Sequence, residues 1–294
     1  HGKLLITSEY LILKGAKGLA IPCNKGQSLE YEETNSKNLN WKSFDLNNKI
    51  WFEAIFDCKN FNCINSNEKS ISEKLSFILK ETRKLNPKFL LTTGGEIKTQ
   101  LGFNLNWGLG SSSTLISNLA QLNKINPYKL LSKTYGGSGY DIACSLSDRP
   151  IIYEAKKNIY NEINFNPPFR DKLFFVYLNK KQNSKIEVDG FKNIQVDKKT
   201  IKSINSITDI MVKTKKFNEF NSLIRKHEKI ISNVINKTSI KNLKFKDFKG
   251  EIKSLGAWGG DFILASGIDS PSYFKSKGYK IIIKFDDMIY RKKS

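Results

Sequence analysis

Gly108-Leu109-Gly110-Ser111-Ser112-Ser113, a glycine turn that runs into three serines, is the stretch of this sequence that decides the fold. Glycines let a backbone approach a ligand closely, and the amide groups that follow them can point at an anion. Apolar residues at helical spacing come next, so the sequence predicts a helix over Ser111–Lys124. The amino end of such a helix carries about half a unit of positive charge, which favours an anion such as phosphate.

These six residues have other interpretations. An ordinary helix start with serine caps gives the same pattern without any ligand. A Walker phosphate loop is excluded, because no Gly-Lys-Ser or Gly-Lys-Thr follows at the required spacing. If a phosphate binds at this turn, its lysine therefore comes from another part of the chain.

The residues before and after this turn show a mixture of strand and helix patterns. The first third is β-rich, with strands predicted at Lys3–Ser8, Ser28–Glu33, Ile50–Phe56 and Glu96–Phe103. Helical spacing over Lys69–Leu85 ends just before Pro87. A second glycine turn, Gly136-Gly137-Ser138-Gly139, precedes a short helix near Asp141.

The second half of the chain continues the mixture and contains a third glycine turn. A helical segment is predicted over Lys198–Lys237, and the turn is Gly256-Ala257-Trp258-Gly259-Gly260. Further strands are predicted at Pro150–Glu154, Leu173–Leu178, Asp261–Ala265 and Lys280–Lys284. The sequence therefore predicts an α+β protein without internal repeats.

Composition narrows the class of protein. No stretch of the 294 residues approaches the roughly 20 apolar residues of a membrane span, and the run Leu4-Leu5-Ile6 is too short for a signal peptide. We therefore expect a cytoplasmic protein without a membrane partner. The four cysteines form no Cys-x-x-Cys pair, which does not favour a zinc site.

The formal net charge of +21 fits a nucleic acid, an anionic surface or an acidic small substrate as partner. Lysines are spread over the whole chain, which favours a solvated basic surface. Aromatic residues stand among them, and they fit a β core better than a nucleic-acid surface; these are Trp41, Phe44, Trp51 and Phe52. The charge therefore needs no specific partner and does not favour a nucleic acid, although an acidic small substrate would benefit from the positive field.

Four segments, taken together and in order, resemble the signatures of the GHMP kinases, which are named for galacto-, homoserine, mevalonate and phosphomevalonate kinases. These segments are Gly2–Leu13, Gly108–Ser113, Gly137–Ala143 and Lys253–Asp261. The resemblance implies an α+β fold of two lobes. It places an ATP-binding lobe that is ribosomal-protein-S5 domain-2-like at residues 1–165, and a ferredoxin-like lobe at residues 166–294.

The resemblance also implies roles for single residues. Asp141 takes the place of the catalytic carboxylate, which accepts or orients the proton of the acceptor; a helix cap is the other interpretation of this residue. Lys3 is expected near Asp141, where it would meet the transferred phosphoryl group. A solvated lysine at a strand end is the alternative.

The binding residues and cofactors follow from the same resemblance, which implies ATP and Mg²⁺. ATP phosphates are expected at Gly108, Leu109, Gly110, Ser111, Ser112 and Ser113. The acceptor or the phosphates are expected at Gly137, Ser138, Gly139, Gly256, Ala257, Gly259, Gly260 and Asp261. Ser112 and Glu9 are the candidate metal ligands.

The substrate is the least defined part of the resemblance. Glu9-Tyr10, the wording around Asp141 and the aspartate at position 261 are most similar to phosphomevalonate kinases, with mevalonate kinases next. Ser8 and Trp258 stand where the family has glycine, and Leu130–Tyr135 lacks the glutamate of mevalonate kinases. A catalytically weak nucleotide-binding protein, or a kinase for homoserine or a sugar, therefore remain alternatives, and the sequence leaves the oligomeric state open.

Overall fold

The computed structural model describes residues 1–181 and 184–292. The strands are β1 (Gly2–Leu5), β2 (Lys17–Cys23), β3 (Gln27–Thr34), β4 (Asn38–Phe44), β5 (Ile50–Asp57), β6 (Cys63–Ser66), β7 (Gly94–Leu101), β8 (Ile151–Glu154), β9 (Ile159–Glu162), β10 (Leu173–Tyr177), β11 (Glu251–Ser254), β12 (Phe262–Ser266) and β13 (Ile282–Lys284). The helices are α1 (Lys69–Leu85), α2 (Ser111–Leu122), α3 (Pro127–Thr134), α4 (Tyr140–Leu146), α5 (Ser184–Phe191), α6 (Lys198–Lys213), α7 (Phe217–Ile235), α8 (Ile240–Lys244), α9 (Ser270–Ser276) and α10 (Phe285–Met288).

Within these described ranges the strands form three sheets. The first has the order β1-β2-β8-β9 and is antiparallel. The second has the order β3-β7-β4-β5-β6, and its β4–β7 pair is parallel. The third, β11-β12-β10-β13, is antiparallel and comes from the C-terminal part of the chain. The α+β class is confirmed, whereas the lobe boundary at residue 165 stays a prediction.

Two packing contacts position the glycine turns. Helix α4 packs against β1 and β2 of the first sheet and against α2. Helix α2 buries Ile116 and Leu119 in a core that α1 and the second sheet share. Burial of each such side chain typically contributes about 1.5–3 kcal/mol. The start of α2 and the start of α4 are therefore fixed beside β1.

Most of the predicted elements are present. The helix over Lys69–Leu85 has the bounds that the apolar spacing indicated. The helical segment predicted over Lys198–Lys237 is two helices, α6 and α7, because the polar run after Lys213 offers no apolar face. Thr214 ends α6, and its hydroxyl accepts a hydrogen bond from the Lys216 amide at 3.2 Å.

The aromatic residues considered for nucleic-acid binding differ in how deeply they are buried. Trp41 and Phe52 are buried in the core between the second sheet and its helices. Trp51 packs against that core and is partly buried. The two buried rings are therefore not exposed for stacking on bases.

In the part of the chain that the structure describes, none of the helices is both long and apolar enough to cross a membrane.

Candidate functional site

The first glycine turn leaves the amino end of α2 without a side-chain cap. Gly110 is the N-cap residue, with φ 91°, and glycine has no side chain that could cap the amides of the first helical turn. The Ser113 hydroxyl and the Thr114 amide both donate to the Gly110 carbonyl, at 2.8 and 3.0 Å. The first amides of a helix have no partner within the helix. They are therefore suited to bind an anion at this position.

Lys3 lies against this turn from β1. Its amide donates to the Leu109 carbonyl at 2.9 Å, and its ammonium donates to the Gly108 carbonyl at 3.2 Å. A Cβ atom added to Gly110 would lie 3.0 Å from Lys3 Cε and 3.1 Å from Cγ. Glycine at position 110 therefore lets the lysine side chain pass along the turn in close contact.

Asp141 is brought towards Lys3 by the packing of α4 on β1. Its Oδ1 atom accepts a hydrogen bond from the Ile142 amide at 3.2 Å. Burial raises the pKa of the Asp141 carboxyl, and the positive charge of Lys3 opposes that shift. Burial also disfavours the charged form of Lys3, but Tyr140 and Asp141 outweigh it, so the pKa of Lys3 is raised. Lys3 therefore stays protonated at neutral pH.

The third glycine turn adds a second carboxylate, that of Asp261. This residue is 6% exposed and has a left-handed backbone, with φ 51°. Its amide donates to the Lys180 carbonyl at 2.7 Å. A Cβ atom added to Gly108 would lie 2.2 Å from Asp261 Oδ2. The first and third glycine turns therefore meet, and a side chain at position 108 would collide with the carboxylate.

Gly108→Ala is expected to destabilise the protein more than Gly278→Ala does. Both glycines have positive φ, 65° and 86°, so both alanines carry a strain of about 1–2 kcal/mol. The Cβ position at Gly278 is open, whereas at Gly108 the Asp261 carboxylate must move. Urea denaturation of both variants isolates the effect of the collision. Equal losses in the free energy of unfolding would show that Asp261 moves aside without cost.

The second glycine turn leads directly into α4 and is held from β8. Gly137 and Gly139 have φ 103° and 84°. The Tyr153 hydroxyl donates to the Ser138 carbonyl at 2.7 Å. A Cβ atom added to Gly137, or to Gly256 of the third turn, would meet no atom within 4 Å. These two glycines therefore border open space, as residues beside a bound ligand would.

Two tyrosines join the site that the sequence analysis did not assign to it. The ring centroid of Tyr140 lies 5.5 Å from the Lys3 ammonium. Tyr135 follows α3 and is 45% exposed; partial desolvation raises the pKa of its hydroxyl, and the nearby Ser112 side chain opposes that shift. Tyr135 belongs to Leu130–Tyr135, the stretch that lacks the glutamate of mevalonate kinases. In the sequence, the one signal for either tyrosine was the position of Tyr140 next to Asp141.

Glu9 lies in a different place, which we name the buried ionic cluster: Glu9, His227, Glu228 and Lys253. Glu9 is 1% exposed, and its Oε1 atom accepts a hydrogen bond from the fully buried Lys253 ammonium. Its Oε2 atom is 3.5 Å from His227 Nε2, and Lys253 lies 3.0 Å from Glu228 Oε1. These contacts hold Glu9 in the interior, and they give no support to its expected role as a metal ligand.

Ser8 and Tyr10, the sequence neighbours of Glu9, form hydrogen bonds with the C-terminal part of the chain. The Ser8 amide donates to His227 Nε2 at 2.9 Å, and the Tyr10 hydroxyl accepts from the Trp258 amide at 2.8 Å. Ser8 has φ 70°, a conformation that glycine favours. The Trp258 indole is 5% exposed and donates to the Thr238 carbonyl at 2.9 Å. Trp258 is therefore a core residue.

Glu9→Gln is expected to remove part of the pH dependence of stability. Burial raises the pKa of Glu9 from 4.5 to about 7, although the charge of Lys253 opposes the shift. Between these values the folded protein binds more protons at Glu9 than the unfolded chain does. The stability that Glu9 contributes is therefore full below about pH 4.5 and falls as the pH rises to about 7.

The other titratable groups of the buried ionic cluster also change stability with pH, so their effects have to be separated from that of Glu9. Burial raises the pKa of Glu228, which acts in the same direction, and lowers that of His227, which acts in the opposite direction. Urea denaturation of the wild type and the Gln variant at about pH 5 and about pH 8 isolates Glu9. The exposed residue Glu73 provides the control, Glu73→Gln. A wild-type advantage that does not change with pH would contradict the raised pKa of Glu9.

Comparison with solved structures shows the same overall fold at low sequence identity. The mevalonate kinase of Methanococcus jannaschii is 15% identical, with a TM-score of 0.69 over 96% of this chain and 95% of that chain. The Lactococcus lactis galactokinase complexed with galactose is 13% identical, with a TM-score of 0.70 over 99% and 92%. The Streptococcus pneumoniae phosphomevalonate kinase in complex with phosphomevalonate and AMPPNP is 16% identical, with a TM-score of 0.65 over 96% and 98%.

No protein-family model matches the sequence, and no curated protein matches it. The three solved structures named above are kinases of the GHMP type, and the likeness covers nearly the whole chain. At these identities the likeness establishes the fold alone. The chemistry has to be inferred from the arrangement of the glycine turns. The chain has the GHMP kinase fold, as the four sequence segments predicted.

Proposed function

We propose that this protein is an ATP-dependent small-molecule kinase, which transfers the γ-phosphoryl group of ATP to an oxygen of a small acidic acceptor. One observation carries the proposal. Lys3 contacts the turn Gly108–Gly110 beside the amino end of α2, and Asp141 lies in the first turn of α4, which packs on β1 and α2, so that its charge acts on Lys3. A phosphoryl-transfer site needs this combination of anion-binding amides, a cation and a carboxylate.

The first glycine turn and Lys3 would bind the polyphosphate. The uncapped amides of α2 point positive partial charge at an anion, and the fixed ammonium of Lys3 adds a full charge beside them. Charge that builds up on the migrating phosphoryl group is stabilised by such preorganised donors. The support from the comparisons is that the neighbours are kinases, one of them in complex with AMPPNP.

Asp141 would act as the general base. The acceptor oxygen forms a bond to the γ-phosphorus, and the bond from that phosphorus to the bridging oxygen of ADP breaks. The proton of the acceptor oxygen, which belongs to a hydroxyl in mevalonate and to a monoprotonated phosphate in phosphomevalonate, passes to Asp141. One carboxylate oxygen accepts the Ile142 amide, which fixes the orientation of the group. The pKa of Asp141, raised by burial, makes the carboxylate a better proton acceptor than an exposed aspartate is.

The residues present also suit Mg²⁺. In the described ranges no group of three His, Cys, Asp or Glu side chains is arranged to hold a metal ion. Mg²⁺ usually keeps several waters and binds one or two carboxylates together with nucleotide phosphates, so it needs no such group. The Ser112 hydroxyl would be the protein ligand, with waters and the nucleotide phosphates as the other ligands. When bound, Mg²⁺ neutralises charge on the β- and γ-phosphates.

For the acceptor we propose phosphomevalonate, with mevalonate as the second candidate. The aspartate at position 261 and the wording around Asp141 support the first. Asp261 lies against Gly108, so this turn borders the phosphate-binding turn. Homoserine and sugars are the acceptors of related enzymes and form the comparison set.

The test measures ADP release with phosphomevalonate, mevalonate, homoserine and galactose, each beside an Asp141→Ala control. Turnover with one acceptor, absent from the control, supports the proposal and names the substrate. Nucleotide binding by calorimetry without turnover on any acceptor would indicate a nucleotide-binding protein that keeps the kinase fold. Absence of both would reject the proposed function.

A further inference from the structure

We infer that Lys25 is a second phosphate-binding lysine, which contacts the polyphosphate of the nucleotide at the first glycine turn together with Lys3. The inference rests on the proposed kinase function, because it assigns a further residue to the same site. Binding of a polyphosphate can be measured without turnover, so the two proposals can fail separately.

The loop at residues 24–27, between β2 and β3, lies beside the first glycine turn. The Gly2 amide donates to the Lys25 carbonyl at 2.7 Å, and the next amide of β1, that of Lys3, donates to the Leu109 carbonyl at 2.9 Å. A Cβ atom added to Gly2 would lie 2.9 Å from the carbonyl oxygen of Lys25 and 3.0 Å from that of Leu109. The backbone at Lys25 and the first glycine turn therefore approach the same residue of β1.

The same loop forms hydrogen bonds with α2 and with the end of β7. Near the start of α2, the Thr114 hydroxyl donates to Gln27 Oε1 at 2.7 Å. The side-chain amide of Asn118 donates to the Gln27 carbonyl at 2.8 Å. The Gly102 amide, just after β7, donates to the Gly26 carbonyl at 2.9 Å. These bonds hold the loop against the helix whose amino end is suited to an anion.

The side chain of Lys25 extends towards the first glycine turn. Its ammonium lies 5.7 Å from the ring centroid of Trp107, the residue that precedes Gly108. The indole itself is held by two other rings, since its centroid lies 5.5 Å from that of Phe262 and 6.2 Å from that of Tyr177. The attraction of a cation to an indole face is weaker than a charge-assisted hydrogen bond to phosphate. Trp107 therefore keeps the ammonium beside the turn, and a polyphosphate can draw it from the ring.

The charge of Lys25 is available for an anion. The residue is half-buried, and among the residues that the structure describes it forms no ion pair with a carboxylate. Phosphoryl transfer depends on neutralising the several negative charges of the triphosphate, and Lys3 supplies one positive charge. A lysine has a flexible stem and three donors, so it can follow a phosphate chain. A second lysine at this turn therefore meets a requirement that Lys3 alone does not.

Calorimetry of the full chain with ATP and with inorganic tripolyphosphate, without any acceptor, tests the inference. Lys25→Met keeps an unbranched stem on the indole and removes the charge, so both affinities should fall about tenfold, as for a lost charge-assisted hydrogen bond. Lys25→Arg keeps the charge and can also stack on Trp107, so it should retain most of both affinities. Lys49→Met is the control, because the exposed Lys49 lies in the turn between β4 and β5 and its loss changes the net charge equally. It should bind both ligands as the wild type does.

Each other outcome overturns one of the two proposals or both. Wild-type affinity in Lys25→Met, or equal losses in Lys25→Arg and Lys49→Met, would overturn the role of Lys25. A loss with ATP but not with tripolyphosphate would place Lys25 at the base or ribose and would overturn it too. If ATP binds but no acceptor is phosphorylated, the kinase proposal fails while the variants still decide the role of Lys25. A wild type that binds neither ATP nor tripolyphosphate would overturn both.

Discussion

Asp141→Asn is expected to reduce phosphoryl transfer by about 10²–10⁴-fold while nucleotide binding persists. The amide keeps the size of the side chain and can still accept the Ile142 hydrogen bond, so the start of α4 should not change. What it loses is the ability to take a proton from the acceptor. Removing a negative charge near Lys3 also leaves the first glycine turn no less attractive to a polyphosphate.

The measurement is the rate of ADP release at saturating ATP, with nucleotide affinity determined by calorimetry on the same samples. Asp148→Asn is the matched control, because Asp148 forms a surface ion pair with Lys292 at 2.9 Å. The control should keep wild-type turnover. A variant at position 141 that turned over at the wild-type rate would show that another group accepts the proton.

The pH profile gives a second view of the same residue. Only the ionised carboxylate can act as a base, and burial raises the pKa of Asp141. Turnover should therefore fall as the pH drops through that raised pKa, at a higher pH than for an ordinary aspartate. The residual activity of Asp141→Asn should lack this acidic limb.

The sequence predicted those elements whose apolar residues keep a regular period. Helix α1 was found with its bounds because its apolar residues recur at helical spacing and Pro87 follows its end. Strand β2 was missed because it contains Gly18 and Pro22, which usually mark turns, although its residues are almost all buried. Strand β4 was missed because Ser43 takes an inward position that an apolar residue would usually fill.

The residues of the candidate site also divide into those that the sequence predicted and those that it did not. Short sequence motifs predicted the glycine turns, Lys3 and Asp141. The structure brings these residues together. The contact of Asp261 with Gly108 joins the third glycine turn to the first, which are far apart in the sequence, and left no local pattern. The partner of Glu9 is 244 positions away in the sequence, so only the folded chain shows why this carboxylate is buried.

Lys253→Met is expected to lower the free energy of unfolding by about 3–5 kcal/mol, a large part of the total of a typical domain. Lys253 is fully buried between the carboxylates of Glu9 and Glu228. Methionine fills a similar volume, but it leaves those two carboxylates without a positive partner. His227 cannot replace the lysine, because burial lowers its pKa well below the ordinary value.

Urea denaturation measures the loss, and Lys277→Met is the control. Lys277 pairs with Asp247 at 2.8 Å on the surface, where an ion pair contributes about 0–1 kcal/mol. The deficit of the buried variant should shrink at acid pH, since Glu9 and Glu228 are then protonated and need no counter-charge. Adding Glu9→Gln to Lys253→Met should recover stability for the same reason. If the double variant were no more stable than the single one, the damage would come from packing. If stability returned without a change in nucleotide affinity, Glu9 would be a structural residue that joins the first segment to the third glycine turn.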